Sequence, residues 1–139
     1  MKVSRAVKAA AASVAAIVVS LAMSTPALAY DDYVSTDDTD PGGRAYWTAN
    51  GDVVKVCDIE ADGWAAKVWV GYYSSSYHVV DRYTLEVGGN GNCASKSAAN
   101  GGVYDLPEGY QINITVCLVQ GGDYPQGTYC DWLEPMNIN

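Results

Sequence analysis

Three carboxylates at alternate positions, Asp58-x-Glu60-x-Asp62, followed by Gly63, begin as a calcium-binding loop begins. Such a loop aims oxygen ligands at one hard cation and uses a glycine for the sharp bend. The pattern then fails. The closing bidentate glutamate belongs eleven residues after Asp58, and Trp69 stands there. Alternate residues of a strand share a face, so the plainer reading is a solvated edge running into a turn. Asp58, Glu60 and Asp62 are thus weak metal candidates, and no cofactor is expected.

Catalytic patterns are thinner still. His78 is the one histidine, and it follows Ser74, Ser75 and Ser76 in a loop-like stretch with no G-x-S-x-G elbow. Carboxylate pairs for glycoside hydrolysis are defined by their separation in space, and a short chain without large loops is a poor host for that cleft. The chain is therefore expected not to be an enzyme. Asn113-Ile114-Thr115 matches a glycosylation acceptor, but it falls inside a strand pattern and is read as coincidence.

The four cysteines are Cys57, Cys93, Cys117 and Cys130. Their spacing fits no C-x-x-C metal or redox motif, and in an exported chain an even count points to disulfides, with three possible pairings. Cys117 and Cys130 lie nearly equidistant from the Gly122-Asp123-Tyr124 apex, as a cross-strand bond in a hairpin requires. That pairs Cys117 with Cys130 and leaves Cys57 with Cys93.

Export is written at the N-terminus. Lys2, Arg5 and Lys8 precede an uncharged, mostly apolar run over residues 9–23, and Ala27-Leu28-Ala29 has the small-x-small form that signal peptidase reads. The apolar run is short for a membrane anchor, which takes about 20 residues. Cleavage after Ala29 leaves one domain's worth of chain, 110 of 139 residues. Sixteen acidic residues then face five bases (Arg44, Lys55, Lys67, Arg82, Lys96), a net charge near −11. That field repels phosphate backbones and anionic lipid, so neither nucleic acid nor a membrane surface is an expected partner.

The elements that must carry these residues read as β throughout. Residues 30–43 hold five aspartates, no base and no apolar periodicity, and are expected to form a flexible acidic arm with Pro41-Gly42-Gly43 as its hinge. The arm is a solubilising tail or a segment that adds a strand to a partner's sheet. Residues 44–139 form the folded domain. Within it, Asn50-Gly51 and Asp62-Gly63 predict two tight hairpin turns, hence a meander over residues 45–73. In that register Val53, Cys57, Ile59, Ala66, Val68, Val70 and Tyr72 share the core face, though a one-residue slip would exchange the faces. Residues 79–87 turn Tyr83, Leu85 and Val87 inward, 88–92 are a glycine-rich turn, and 103–106 are at most a short strand. Residues 110–119 give the cleanest alternation, and 128–133 the last strand. About seven short strands with frequent turns predict a disulfide-stapled antiparallel β-sandwich, Ig-like or similar.

Eleven tyrosines and four tryptophans with no phenylalanine are left to explain, since every aromatic then carries a polar tip. Core packing accounts for most of them. Tyr72, Tyr73 and Tyr77 surround the serine loop and Tyr124 tops the last hairpin, and these four are the candidate binding surface. The expected function is a secreted, non-catalytic module, monomeric unless assembled into a complex, that binds an extracellular protein or glycan through Tyr/Trp-bearing loops. The alternatives are an inhibitor of a secreted hydrolase, using a rigid loop over residues 121–127, an adaptor subunit of a secreted complex, and a weak calcium-binding domain.

Asp40-Pro41-Gly42-Gly43, Gly51-Asp52, Val56-Cys57-Asp58, Ala61-Asp62-Gly63, Leu106-Pro107-Glu108-Gly109 and Val116-Cys117 resemble a group of small secreted actinobacterial proteins, Streptomyces-like, of unknown function. The resemblance covers nearly all of the mature domain and implies a disulfide-bonded β-sandwich. It carries over no catalytic residue. Secreted adaptor subunits of actinobacterial toxin particles, small β-domains with an extended N-terminal arm, are similar in architecture alone.

Overall fold

The computed structural model describes residues 30–121 and 124–138, without the side chains of Tyr124 and Pro125. The expected signal segment and the hairpin apex Gly122-Asp123 lie outside the described residues. Eight strands run through the described part: β1 Asp32–Ser35, β2 Gly43–Thr48, β3 Val53–Asp58, β4 Ala65–Ser75, β5 His78–Gly88, β6 Cys93–Lys96, β7 Ile112–Gln120 and β8 Tyr124–Leu133. They form two antiparallel sheets, ordered β1-β2-β3-β6 and β5-β4-β7-β8. Ala45, Trp47, Val54 and Val56 of the first sheet pack against Ala66, Val68, Val70, Ile112, Ile114 and Val116 of the second, all essentially without solvent contact.

β3 and β4 do not form a hairpin, which corrects the expected meander. Both edges of β3 are already taken, by β2 and by β6, so the chain after Asp58 has no edge to return to and crosses to the other sheet. The Asp62-Gly63 turn is present, with Gly63 at φ +81° and the Trp64 amide donating to Asp62 Oδ1 at 2.8 Å, but it is a crossover turn. The core face of β4 is the expected one. That of β3 is reversed: Val54 and Val56 are buried while Val53 and Ile59 are only half-buried. A hairpin register cannot be applied to two strands that face each other across a core.

Asn50-Gly51 does join β2 to β3. The pairing of Thr48 with Val53 makes this a four-residue loop rather than a two-residue one, with Gly51 at φ +86° and Asp52 at φ +52°. That bend turns the Asp52 carboxylate inward, where Leu106 N–H donates to Oδ2 at 2.8 Å and Asn137 Nδ2 donates to Oδ1 at 2.9 Å. Residues 102–104 are a single 3-10 turn, not a strand. It sets Leu106 as a plug at this end of the core.

The acidic arm is not free. Asp32–Ser35 pairs with β2 as the outer strand of the first sheet, Tyr33 opposite Tyr46 and Val34 opposite Ala45. Val34 is the one apolar residue that the pairing buries, and composition alone hides it among aspartates. Gly42-Gly43 is no hinge either. Both glycines are buried, and a Cβ on Gly42 would stand 3.1 Å from Leu118 Cδ2, one on Gly43 3.0 Å from Ala66 Cβ. Small residues are required where β2 passes close over the second sheet.

Two disulfides join Cys57 to Cys93 and Cys117 to Cys130, the pairing that hairpin symmetry requires. Cys57 and Cys93 are directly opposed on β3 and β6. With sequence separations of 36 and 13, the chain-entropy relation gives about 4 and about 3 kcal/mol against the reduced unfolded chain. Both bonds are consistent with an oxidising, extracellular environment.

Candidate functional site

The three acids of the calcium-like motif lie along the crossover and take different tasks. Asp58 ends β3 and is buried. Its Oδ2 accepts Gly89 N–H at 2.7 Å, and its backbone exchanges bonds with Gly91 and Asn92, so it anchors the glycine-rich turn. Asp62 caps its own turn through Trp64 N–H. Glu60, between them, is held above the ordinary carboxylate range, by desolvation first and then by repulsion from Asp40, Asp62, Asp38 and Asp58. Among the described residues no group of three or more His, Cys, Asp or Glu side chains is placed to hold a metal ion. Beside these acids a cleft of about 490 Å³ opens between the crossover, the 88–92 turn and the end of β7, with Glu60, Trp64, Glu86, Asn90 and Gln120 on its walls.

The serine loop is a tight β4–β5 hairpin with Ser75 paired to His78. Ser74 Oγ donates to the backbone carbonyl of His78 at 3.2 Å rather than to its imidazole. Of the four candidate tyrosines, Tyr77 sits at this tip and is 99% exposed. Tyr72 points the other way: it packs against the core, with its ring edge-on to Tyr110 at 5.3 Å. Tyr73 lies on the solvent side of the second sheet, where its hydroxyl donates to Glu134 Oε1 at 2.6 Å and accepts from Asn113 Nδ2 at 3.4 Å. The bond to Glu134 first, then desolvation and the Glu134 charge, raise the phenol above its ordinary value, and the Asn113 bond opposes them. The side chain of Tyr124 lies outside the described residues. The four therefore do not form one surface, because strand alternation sends neighbouring Tyr72 and Tyr73 to opposite sides of their sheet.

What the structure does bring together is a row that crosses the second sheet. Thr84 of β5 is paired with Trp69 of β4, Trp69 with Thr115 of β7, and Thr115 with Trp132 of β8. Core residues flank each of the central two in sequence (Val68 and Val70, Ile114 and Val116), so all four members of the row face solvent. Trp132 is 60% exposed. Trp69 is half-buried, and the Lys67 ammonium, paired with Glu86 at 3.1 Å, lies 5.3 Å from its ring centroid. Two residues farther along the strands are Gly71 and Asn113, and beyond them Tyr73 and Gln111. Gln111 Nε2 reaches Glu134, which closes a network of Asn113, Tyr73, Glu134 and Gln111.

Tryptophan periodicity was the available signal for this row: Trp69 falls on the outward phase of an otherwise regular strand. The outer face of the first sheet carries a separate cluster of Tyr30, Tyr33 and Tyr46, with Arg44 over Tyr33 at 5.0 Å and Lys55 over Tyr30 at 5.4 Å. No family model matches the chain, and neither does any curated protein or solved structure.

Proposed function

We propose that the mature chain is a secreted, non-catalytic binding module, and that its ligand is taken by the solvent face of β4, β7 and β8 as well as by the Tyr77 hairpin tip. The observation that carries this reading is the pair of outward indoles, Trp69 and Trp132, on either side of Thr115 in one row. Large amphipathic aromatics held on strands present contact area with little conformational entropy left to lose, which is what a preorganised binding face needs. Disulfide bonding of β8 to β7 next to that row supports the same reading by stiffening the outer strand.

Immobilised mature protein, incubated with the culture medium of the producing organism, should retain a ligand. Trp132→Ala should lose it while keeping the circular dichroism spectrum of a folded β protein. Retention unchanged in Trp132→Ala would show that this face is not the binding surface.

A further inference from the structure

The proposed binding face also carries the chemistry of its ligand. We infer that it takes an extended, uncharged β-1,4-linked glycan laid across the strands, with alternate sugar rings stacked on Trp69 and Trp132. This inference rests on the binding-face reading and adds the ligand class.

Spacing is the first argument. Neighbouring strands lie about 4.8 Å apart, so residues two strands apart in one row are separated by roughly 9.6 Å. Trp69 and Trp132 stand in that relation, with Thr115 between them. In an extended β-1,4 chain each ring is turned over relative to the last, and alternate rings present the same flat C–H face at nearly that repeat. The intervening ring would lie over Thr115, a small half-buried side chain that leaves the floor low between the two platforms.

Relief along the strands is the second. A groove of about 320 Å³ opens beside Trp69, with Asp81, Arg82 and Thr84 among its lining residues. Lys67 lies over the Trp69 ring and is itself tied to Glu86, which holds the indole in place.

Polarity is the third. Beside the charged Lys67, Glu86 and Glu134, the groups around the two indoles include hydroxyls and amides (Thr84, Thr115, Asn113, Gln111), of which Thr115, Asn113 and Gln111 are oriented through Tyr73 and Glu134. These donors and acceptors suit the ring hydroxyls of a sugar. Sixteen acids against five bases disfavour polyanionic glycans and leave neutral ones.

Isothermal titration of the full secreted protein with cellohexaose and with chitohexaose tests this. At least one hexasaccharide should bind, and Trp69→Ala and Trp132→Ala should each weaken it about tenfold or more. Trp132→Tyr should keep most of the affinity, and Val103→Ala, off the face, all of it. The matching disaccharide, too short to reach both indoles, should bind at least about tenfold more weakly than the hexasaccharide. No binding of either hexasaccharide overturns the inference, as does binding indifferent to Trp132→Ala or equal for the disaccharide. If neither hexasaccharide binds but a protein is captured from culture medium in a Trp132-dependent way, the glycan is wrong and the binding face stands. Capture that ignores Trp132 removes both.

Discussion

Asn137 sits near the end of the chain, yet its side chain is fully buried and should be among the costliest to truncate. Its Nδ2 donates to Asp52 Oδ1 at 2.9 Å and lies 3.3 Å from the carbonyls of Leu106 and Pro107. The backbone of the same tail closes on residues 109–112 through Gly109 N–H to Asn137 O, Asn137 N–H to Tyr110 O and Ile112 N–H to Pro135 O. Asn137→Ala keeps those backbone bonds and removes the side-chain donor. Asp52, 1% exposed, is then left with Leu106 N–H as its one remaining side-chain partner among the described residues. A hydrogen bond to a charged group contributes about 1.5–3 kcal/mol, and an acceptor left buried without a donor adds to that, so the loss should be about 2–4 kcal/mol. A domain of this size has about 5–15 kcal/mol in all, and the midpoint should fall by about 10–20 °C. Urea unfolding followed by circular dichroism, with an unchanged m-value, measures it. In an Asp52→Asn background, which keeps a residue tolerant of φ +52°, the cost of Asn137→Ala should shrink because the charge is gone. A loss under about 1 kcal/mol in the Asp52 background, less than a hydrogen bond to a charged group contributes, would refute the buried-carboxylate argument.

Gly71→Ala should cost about 1–3 kcal/mol, because its Cβ would stand 2.7 Å from the Val80 carbonyl oxygen at the β4–β5 bulge; a neutral result in thermal melts would mean that the bulge relaxes freely. The Tyr83 hydroxyl is buried with no hydrogen-bond partner among the described residues, and burial first, then Asp52 and Tyr104, push its pKa upward from the ordinary 10.0. A raised phenol pKa favours folding fully below the unfolded value near 10 and loses that contribution as pH climbs through the folded value. Tyr83→Phe should therefore match or exceed wild-type stability at pH 7 and flatten the alkaline fall, and a clear loss at pH 7 would contradict it. Of the three Asn-Gly pairs, Gly91 N–H and Gly101 N–H are bonded to Asp58 O and Ala98 O, which holds each nitrogen away from succinimide closure. Peptide mapping after mild alkaline incubation should find deamidation first at Asn50; first loss at Asn90 or Asn100 would speak against hydrogen bonding as the control.

Legibility in the sequence followed locality. Ile112, Ile114 and Val116 mark β7 by alternation alone, because a period of two is a property of one strand. Asn50-Gly51 and Asp62-Gly63 mark turns, because dihedral tolerance belongs to the residue. What each turn joins was not legible: Asp62-Gly63 leads across the core, since β2 and β6 occupy both edges of β3. The arm misled in the same way, with Val34 the one residue of β1 that the pairing buries.

The candidate site divides along the same line. Tyrosine and tryptophan without phenylalanine announce amphipathic surfaces from composition, and the tip residue Tyr77 follows from its place in a turn. That Tyr72 and Tyr73 part company, and that Trp69 and Trp132 share a row, depends on the pairing of β4 with β7 and of β7 with β8. The amino-acid order by itself determined an all-β chain, its half-cystine pairing and its acidic charge, all of which arise from near-neighbour pattern or from totals. Tertiary structure decided which strands meet and hence which side chains stand together, because strand pairing is a competition among all the free edges of the chain, which no single segment contains.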